Sequence, residues 1–220
     1  MRLFYRFGLL SGRFIFLNTM RLTVIRPEAV DREGPLLLAM SHLSHMEPFL
    51  ISVLIRRQVD WVARIEFYKY KPIAWMLNWL DTIPVRRFGV PVSAVRASLK
   101  RLSQGRIVGI CPEGGVAQGQ QSCMRGAPIK RGVCLLSYRT GVPVLPCVML
   151  GADKLNEVKP WLPFKRARLW IAFGDRLIEP RQDLDRKAAR KVMAEQLQAE
   201  YVKLYRELID KTDVDGSTVP

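Results

Sequence analysis

The chain has 220 residues, 49% apolar and 25% charged, which excludes a disordered chain and suffices for one α/β domain with a sizeable core. Thirty-five Lys and Arg against 20 Asp and Glu leave a formal net charge of +15, so the expected partner is a polyanion: nucleic acid, an anionic membrane or phosphorylated ligands. No apolar run reaches the roughly 18 residues of a transmembrane helix.

Residues 1–20 read MRLFYRFGLLSGRFIFLNTM. Arg2, Arg6 and Arg13 interrupt the apolar run, and no small-residue cleavage site follows, so this is not a secretory signal. Phe4, Phe7, Phe14, Phe16 and Leu17 between arginines predict a helix lying in a membrane interface. A core helix with a few exposed arginines is the alternative. Residues 22–25 and 36–40 read as strands joined by a polar Pro- and Gly-bearing connection. Residues 48–57 read as a helix with Pro48 near its start, where the missing N–H costs nothing. A short strand follows at 61–64, a helix at 71–80, a strand at 83–85 and a helix at 92–102 stopped by Gly105. Residues 107–111 are a buried strand. Residues 129–140 are a helix closed by Gly141. Strands follow at 144–150 and 169–173.

The last helix spans about 183–210. Met193, Leu197, Tyr201, Leu204 and Leu208 make one packing stripe along it. Strands alternating with helices predict a single α/β domain with a mixed, largely parallel sheet flanked by helices. Its expected span is 21–212, between the interfacial segment 1–20 and a flexible tail at 213–220. Cys111, Cys123, Cys134 and Cys147 form no Cys-x-x-Cys pair, and three of them sit in apolar runs. Free thiols in a reducing compartment are expected.

The two histidines both fall in Ser41-His42-Leu43-Ser44-His45-Met46-Glu47-Pro48, between a predicted strand and a predicted helix. A loop entering a helix can fold back so that Glu47 meets the His42 ring. The carboxylate then fixes the tautomer and stabilises the imidazolium: a base with its orienting partner, without a protein nucleophile. A histidine pair bonded to backbone, or a zinc site using His42, His45 and Glu47, are the other readings of the same spacing. Cys111-Pro112-Glu113-Gly114-Gly115 ends a buried strand and brings a carboxylate and backbone N–H groups to the same cleft. Ile83-Pro84-Val85-Arg86-Arg87 ends another strand with two cations, suited to a phosphate.

Together these segments resemble the glycerolipid acyltransferase superfamily, of the 1-acylglycerol-3-phosphate (lysophosphatidate) acyltransferase type. The family's Asn-His-x-Ser-x-x-Asp block stands here as Ser41 to Glu47, its second block as Ile83-Pro84-Val85 with Arg87, its Phe-Pro-Glu-Gly-Thr-Arg block as Cys111 to Val116, and its fourth as Gly141-Val-Pro-Val-Leu-Pro146 after Lys130-Arg131-Gly132. The resemblance covers about residues 36–150. It implies that His42 is the base and Glu47 its partner. It places Arg87, Glu113 and Gly114 at the acceptor head group. Ser44 and Gly114 are the expected sources of backbone N–H groups for the oxyanion. The donor would be acyl-CoA or acyl carrier protein and the acceptor a lysophospholipid, with no metal or prosthetic group. The setting would be the cytoplasmic face of the cell membrane, peripheral or monotopic, with no nucleic acid partner. Glu47 stands for the usual Asp and Ser41 for the usual Asn. Gly115-Val116 replaces Thr-Arg, so Arg86 or Arg125 would supply the missing cation, or the acceptor is a different lipid. Phospholipid transacylation without CoA, and a non-catalytic basic module for membrane or nucleic acid, are the alternatives.

Overall fold

The segment Leu-Leu-Leu-Ala-Met is buried at every position, the pattern of a strand covered on both faces. It forms β2 (Leu36–Met40), the middle of a seven-stranded sheet. The structure is a computed structural model and describes residues 12–14, 18, 20–86, 92–153 and 167–214. The remaining strands are β1 (Met20–Ile25), β3 (Val59–Arg64), β4 (Ile83–Val85), β5 (Ile107–Ile110), β6 (Val144–Leu150) and β7 (Ala167–Phe173), in the order β1-β7-β6-β2-β5-β3-β4. Strands β6, β2, β5, β3 and β4 run parallel; β7 is antiparallel to β6 and carries β1 parallel to itself. The expected mixed, largely parallel sheet is the one observed.

Helices α1 (Glu47–Leu54), α2 (Lys71–Trp79), α3 (Val92–Ser103), α4 (Gly132–Thr140) and α5 (Arg186–Lys211) connect or cover the strands. Two apolar clusters fill the two faces of the sheet. One centres on α3, α4 and α5 with Tyr201 and Met193; the other holds α1 against Leu38, Met40 and Ile107. The five stripe residues of α5 are all buried, and Asp185 caps the helix by accepting from the N–H groups of Lys187 and Ala188.

Three helices begin or end elsewhere than the sequence predicts. α1 stops at Leu54, because Ile55 is already extended, and the Arg57 guanidinium turns to the carbonyls of Arg32, Gly34 and Gly105. α4 starts at Gly132 rather than 129, because the Lys130 N–H donates to the Pro112 carbonyl at 2.8 Å. α5 starts at Arg186.

The placement of α1 depends on one glycine. The Trp61 ring lies so close to Gly109 of β5 that any β-carbon there would collide with it. From that position Trp61 donates to Ser52 of α1 at 2.8 Å. One residue before Trp61 on β3, buried Asp60 is held together with Asp81 by Arg106 (2.5 Å) and Arg101. Of the predicted N-terminal segment, only Gly12, Arg13, Phe14, Asn18 and Met20 are among the described residues, and of the tail only Asp213 and Val214. No helix among the described residues is long and apolar enough to cross a membrane.

Candidate functional site

Parallel pairing of β2 with β5 runs from Leu36↔Ile107 to Ala39↔Ile110. The residues just past both strands therefore emerge side by side at the carboxyl end of the sheet, where open α/β sheets place their sites. His42 leaves β2 and Glu113 leaves β5. The Glu113 carboxylate accepts from the His42 backbone N–H at 2.5 Å and from the Cys123 N–H at 2.8 Å, with the Ser122 hydroxyl at 3.3 Å. A second tie runs from the Ala117 N–H to the His42 carbonyl at 2.8 Å.

Glu47 is the first residue of α1 and is followed by Pro48. A carboxylate at a helix start is favoured by the helix dipole. Here it turns back across the loop. One of its oxygens lies 3.0 Å from Nδ1 of His42, and both lie 3.0 Å from the Leu43 N–H. The Glu47 side chain is wholly buried, whereas that of His42 keeps 13% of its surface exposed.

The electrostatics follow from this burial. Burial pushes the Glu47 carboxyl above its ordinary value, and the donors from His42, Leu43 and Ser44 pull it back without cancelling the rise. Burial pulls His42 down, but the Cys111 sulfur and Glu47 outweigh it and the imidazole ends above its ordinary 6.5. Both shifts express one property: the buried pair holds a proton more tightly than its parts would alone. With Nδ1–H facing the carboxylate, Nε2 is the nitrogen left to accept a proton. His45 is lowered instead, by burial and by the neighbouring cations His42 and Arg64.

The His45 ring sits edge-on to His42 at 5.8 Å and to Phe67 at 5.3 Å. His42, His45 and Glu47 are therefore not arranged as metal ligands, and the described residues contain no group of three or more ligand-type side chains able to hold a metal.

Several sequence expectations change here. Glu113, expected at the acceptor, is a strut: its carboxylate is spent on protein donors. Ser44, also expected at the substrate, is buried, and its hydroxyl accepts from the Met46 N–H at 3.2 Å. Of the two expected oxyanion donors, the Gly114 N–H is given to the Cys111 carbonyl at 3.0 Å. Arg125 lies with its guanidinium over the Tyr205 ring, 5.3 Å from its centre. Arg86 is exposed just beyond β4, separated from β2 by three strand spacings, about 14 Å. Arg87 lies outside the described residues.

Two residues near the pair were not singled out from sequence. Cys111, expected to be buried, is only partly so, and its sulfur acts electrostatically on His42. Burial pushes its thiol above the ordinary value, and the His42 cation opposes that rise. Lys130 lies across Gly114. That glycine has φ +75°, and a β-carbon on it would strike the Lys130 side chain. The signal that could have found Lys130 was its place in the Lys-Arg-Gly segment.

The pair makes a pH prediction. A base acts only as neutral imidazole, so turnover should rise with pH through the raised His42 pKa. Glu47→Gln removes the carboxylate's share of the attraction and leaves the burial, so the acid limb of the kcat/KM profile should move to lower pH while the plateau falls. An unmoved limb would separate Glu47 from His42.

A family model for acyltransferases matches residues 21–150. The 1-acyl-sn-glycerol-3-phosphate acyltransferase of Bacillus subtilis (strain 168) is 23% identical over 155 residues, 70% of this chain and 72% of its own. The chloroplastic 1-acyl-sn-glycerol-3-phosphate acyltransferase BAT2 of Brassica napus is 20% identical over 125 residues, 56% of this chain and 35% of its own. The crystal structure of the 1-acyl-sn-glycerophosphate (LPA) acyltransferase PlsC from Thermotoga maritima is 20% identical and matches with a TM-score of 0.63, covering 91% of this chain and 78% of that one. The span matched by the family model holds both loops that meet at His42, and with it the chain belongs to the acyltransferase family.

Proposed function

We propose that this enzyme moves a fatty acyl group from the thioester of acyl-CoA or acyl carrier protein onto the free hydroxyl of a lysophosphatidate-like acceptor, at the cytoplasmic face of a membrane, with His42 as general base and Glu47 as its partner. The observation that carries this reading is the 3.0 Å contact between His42 Nδ1 and Glu47 in a loop at the carboxyl end of the sheet.

Nε2 of His42 takes the hydroxyl proton, and the acceptor oxygen attacks the thioester carbonyl. Glu47 stabilises the imidazolium that forms. When the tetrahedral intermediate collapses, the carbon–sulfur bond breaks and the imidazolium returns its proton to the leaving thiolate. The products are an ester and a free thiol, and His42 is restored. The relatives are 1-acyl-sn-glycerol-3-phosphate acyltransferases, which supports a phosphate-bearing acceptor.

Lys130, against Gly114, is the cation we assign to that phosphate, with Arg86 and Arg87 as further candidates. Lys130→Ala should raise KM for lysophosphatidate about tenfold, the worth of one charged hydrogen bond, with kcat little changed. KM for a monoacylglycerol should not move. An equal loss on both acceptors would remove Lys130 from phosphate binding.

The direct test incubates the purified chain with palmitoyl-CoA and a panel of lysolipids, reading thiol release and the lipid products by mass spectrometry. Phosphatidate formation is the expected result. Because Gly115-Val116 lacks the family's Thr-Arg, acylation confined to an acceptor without phosphate is the second reading. Turnover from phospholipid donors alone would point to transacylation.

A further inference from the structure

Between β3 and β4 the chain leaves the sheet as a 3-10 turn (Ile65–Lys69) followed by α2. Residues 72–80 read Pro-Ile-Ala-Trp-Met-Leu-Asn-Trp-Leu, with one polar side chain and no charge. A helix of that composition belongs in a core, yet no residue of α2 or of the preceding turn is buried. Trp75 is 72% exposed and Tyr70 65%, with Ile65, Ile73 and Met76 also exposed. The Trp75 and Trp79 rings stack one turn apart, 6.3 Å between centres. A contiguous apolar surface of this kind marks a partner.

The rim identifies the partner. Arg64, Lys69, Lys71 and Arg86 flank the patch, and the latter three are exposed. The two acidic residues between them are paired with cations, Glu66 with Arg64 at 3.4 Å and Asp81 with Arg101 at 2.8 Å. Aromatic side chains set among cations are the composition of a helix that lies in an anionic membrane interface. A second copy of this chain would instead bring these cations against their own kind, in a molecule already carrying +15. The patch is also continuous with the site. Phe67, in the turn, meets His45 edge-on, and His45 meets His42 edge-on.

We propose that residues 65–79 are a docking surface for an anionic phospholipid bilayer, seating α2 at the boundary of head groups and acyl chains beside the His42 loop. A lipid acceptor would then reach His42 without leaving the bilayer. This rests on the preceding section only for the acceptor being a lipid, and binding is measured without turnover.

The full chain is mixed with vesicles of phosphatidylcholine, with and without phosphatidylglycerol, some carrying brominated acyl chains. Partition should favour the phosphatidylglycerol vesicles. Ile73→Ser with Trp75→Ser should weaken that partition about tenfold, with unchanged circular dichroism and unfolding midpoint because both positions are exposed. Bromine should quench the wild-type fluorescence, and Trp75→Phe should keep binding while losing much of that quenching. Unchanged partition in the double variant, or full quenching in Trp75→Phe, would overturn the proposal. So would a concentration-dependent dimer that the double variant abolishes while vesicle binding stays intact. A chain that docks as described but transfers no acyl group would sink the catalytic reading and leave the docking surface standing.

Discussion

His42→Ala is expected to lower kcat/KM for acyl transfer by about a thousandfold, within the 10²–10⁴ range of a lost general base. The same substitution should cost far less in stability. Glu47 loses its ring partner but keeps the Leu43 N–H and takes up a proton more readily once the imidazole is gone. A loss of about 1–2 kcal/mol in urea unfolding is expected, one hydrogen bond's worth. His42→Asn controls for this, since its amide can still donate to Glu47 but has no basic nitrogen. It should be as slow as the alanine variant and more stable. Combining His42→Ala with Glu47→Gln should cost little more than His42→Ala alone, because groups acting as a unit are not additive. Substantial turnover by His42→Asn would sink the assignment of the base.

Glu113→Ala should damage both folding and rate. Its carboxylate is the shared acceptor of two backbone N–H groups, those of His42 and Cys123. Removing it strands both donors in a partly buried site, at about 1–3 kcal/mol each, so a total loss of roughly 2–6 kcal/mol is expected. The His42 loop also loses a tether to the β5 end, and kcat should fall with it. The pH profile separates this positioning role from Glu47's electrostatic one. In Glu113→Ala the plateau drops while the acid limb stays where Glu47 holds it; in Glu47→Gln the limb itself moves. Glu113→Gln keeps one acceptor oxygen and should recover part of both losses. An alanine variant with unchanged stability and a raised KM would return Glu113 to the acceptor.

The two carboxylates show what could be read in advance. Glu47 sits five positions from His42, within reach of any loop that turns into a helix, so its meeting with the ring was legible from spacing. Glu113 lies 71 positions from its main partner. Its type and its place at a strand end were visible, but nothing local said that it faces a backbone N–H instead of a ligand. Gly114 shows the same limit: an N–H that looks free in sequence is spent when a nearby carbonyl claims it. At α4, residues 129–131 have helical composition, yet the long-range bond from Lys130 to Pro112 keeps them out of the helix. That bond also places Lys130 over Gly114.

The sequence by itself determined the alternation of strands and helices, the burial of β5, the α5 stripe and the chemical identity of the His42–Glu47 pair, because each depends on periodicity or on neighbours a few residues apart. Only the tertiary structure decided that β5 lies beside β2 in parallel, that the Glu113 carboxylate points inward to brace the His42 loop, and that the apolar α2 remains uncovered. Those outcomes depend on which distant segments pair and what each then leaves exposed. Strand order and cross-sheet register are set by packing summed over the whole chain, which no local stretch of residues contains.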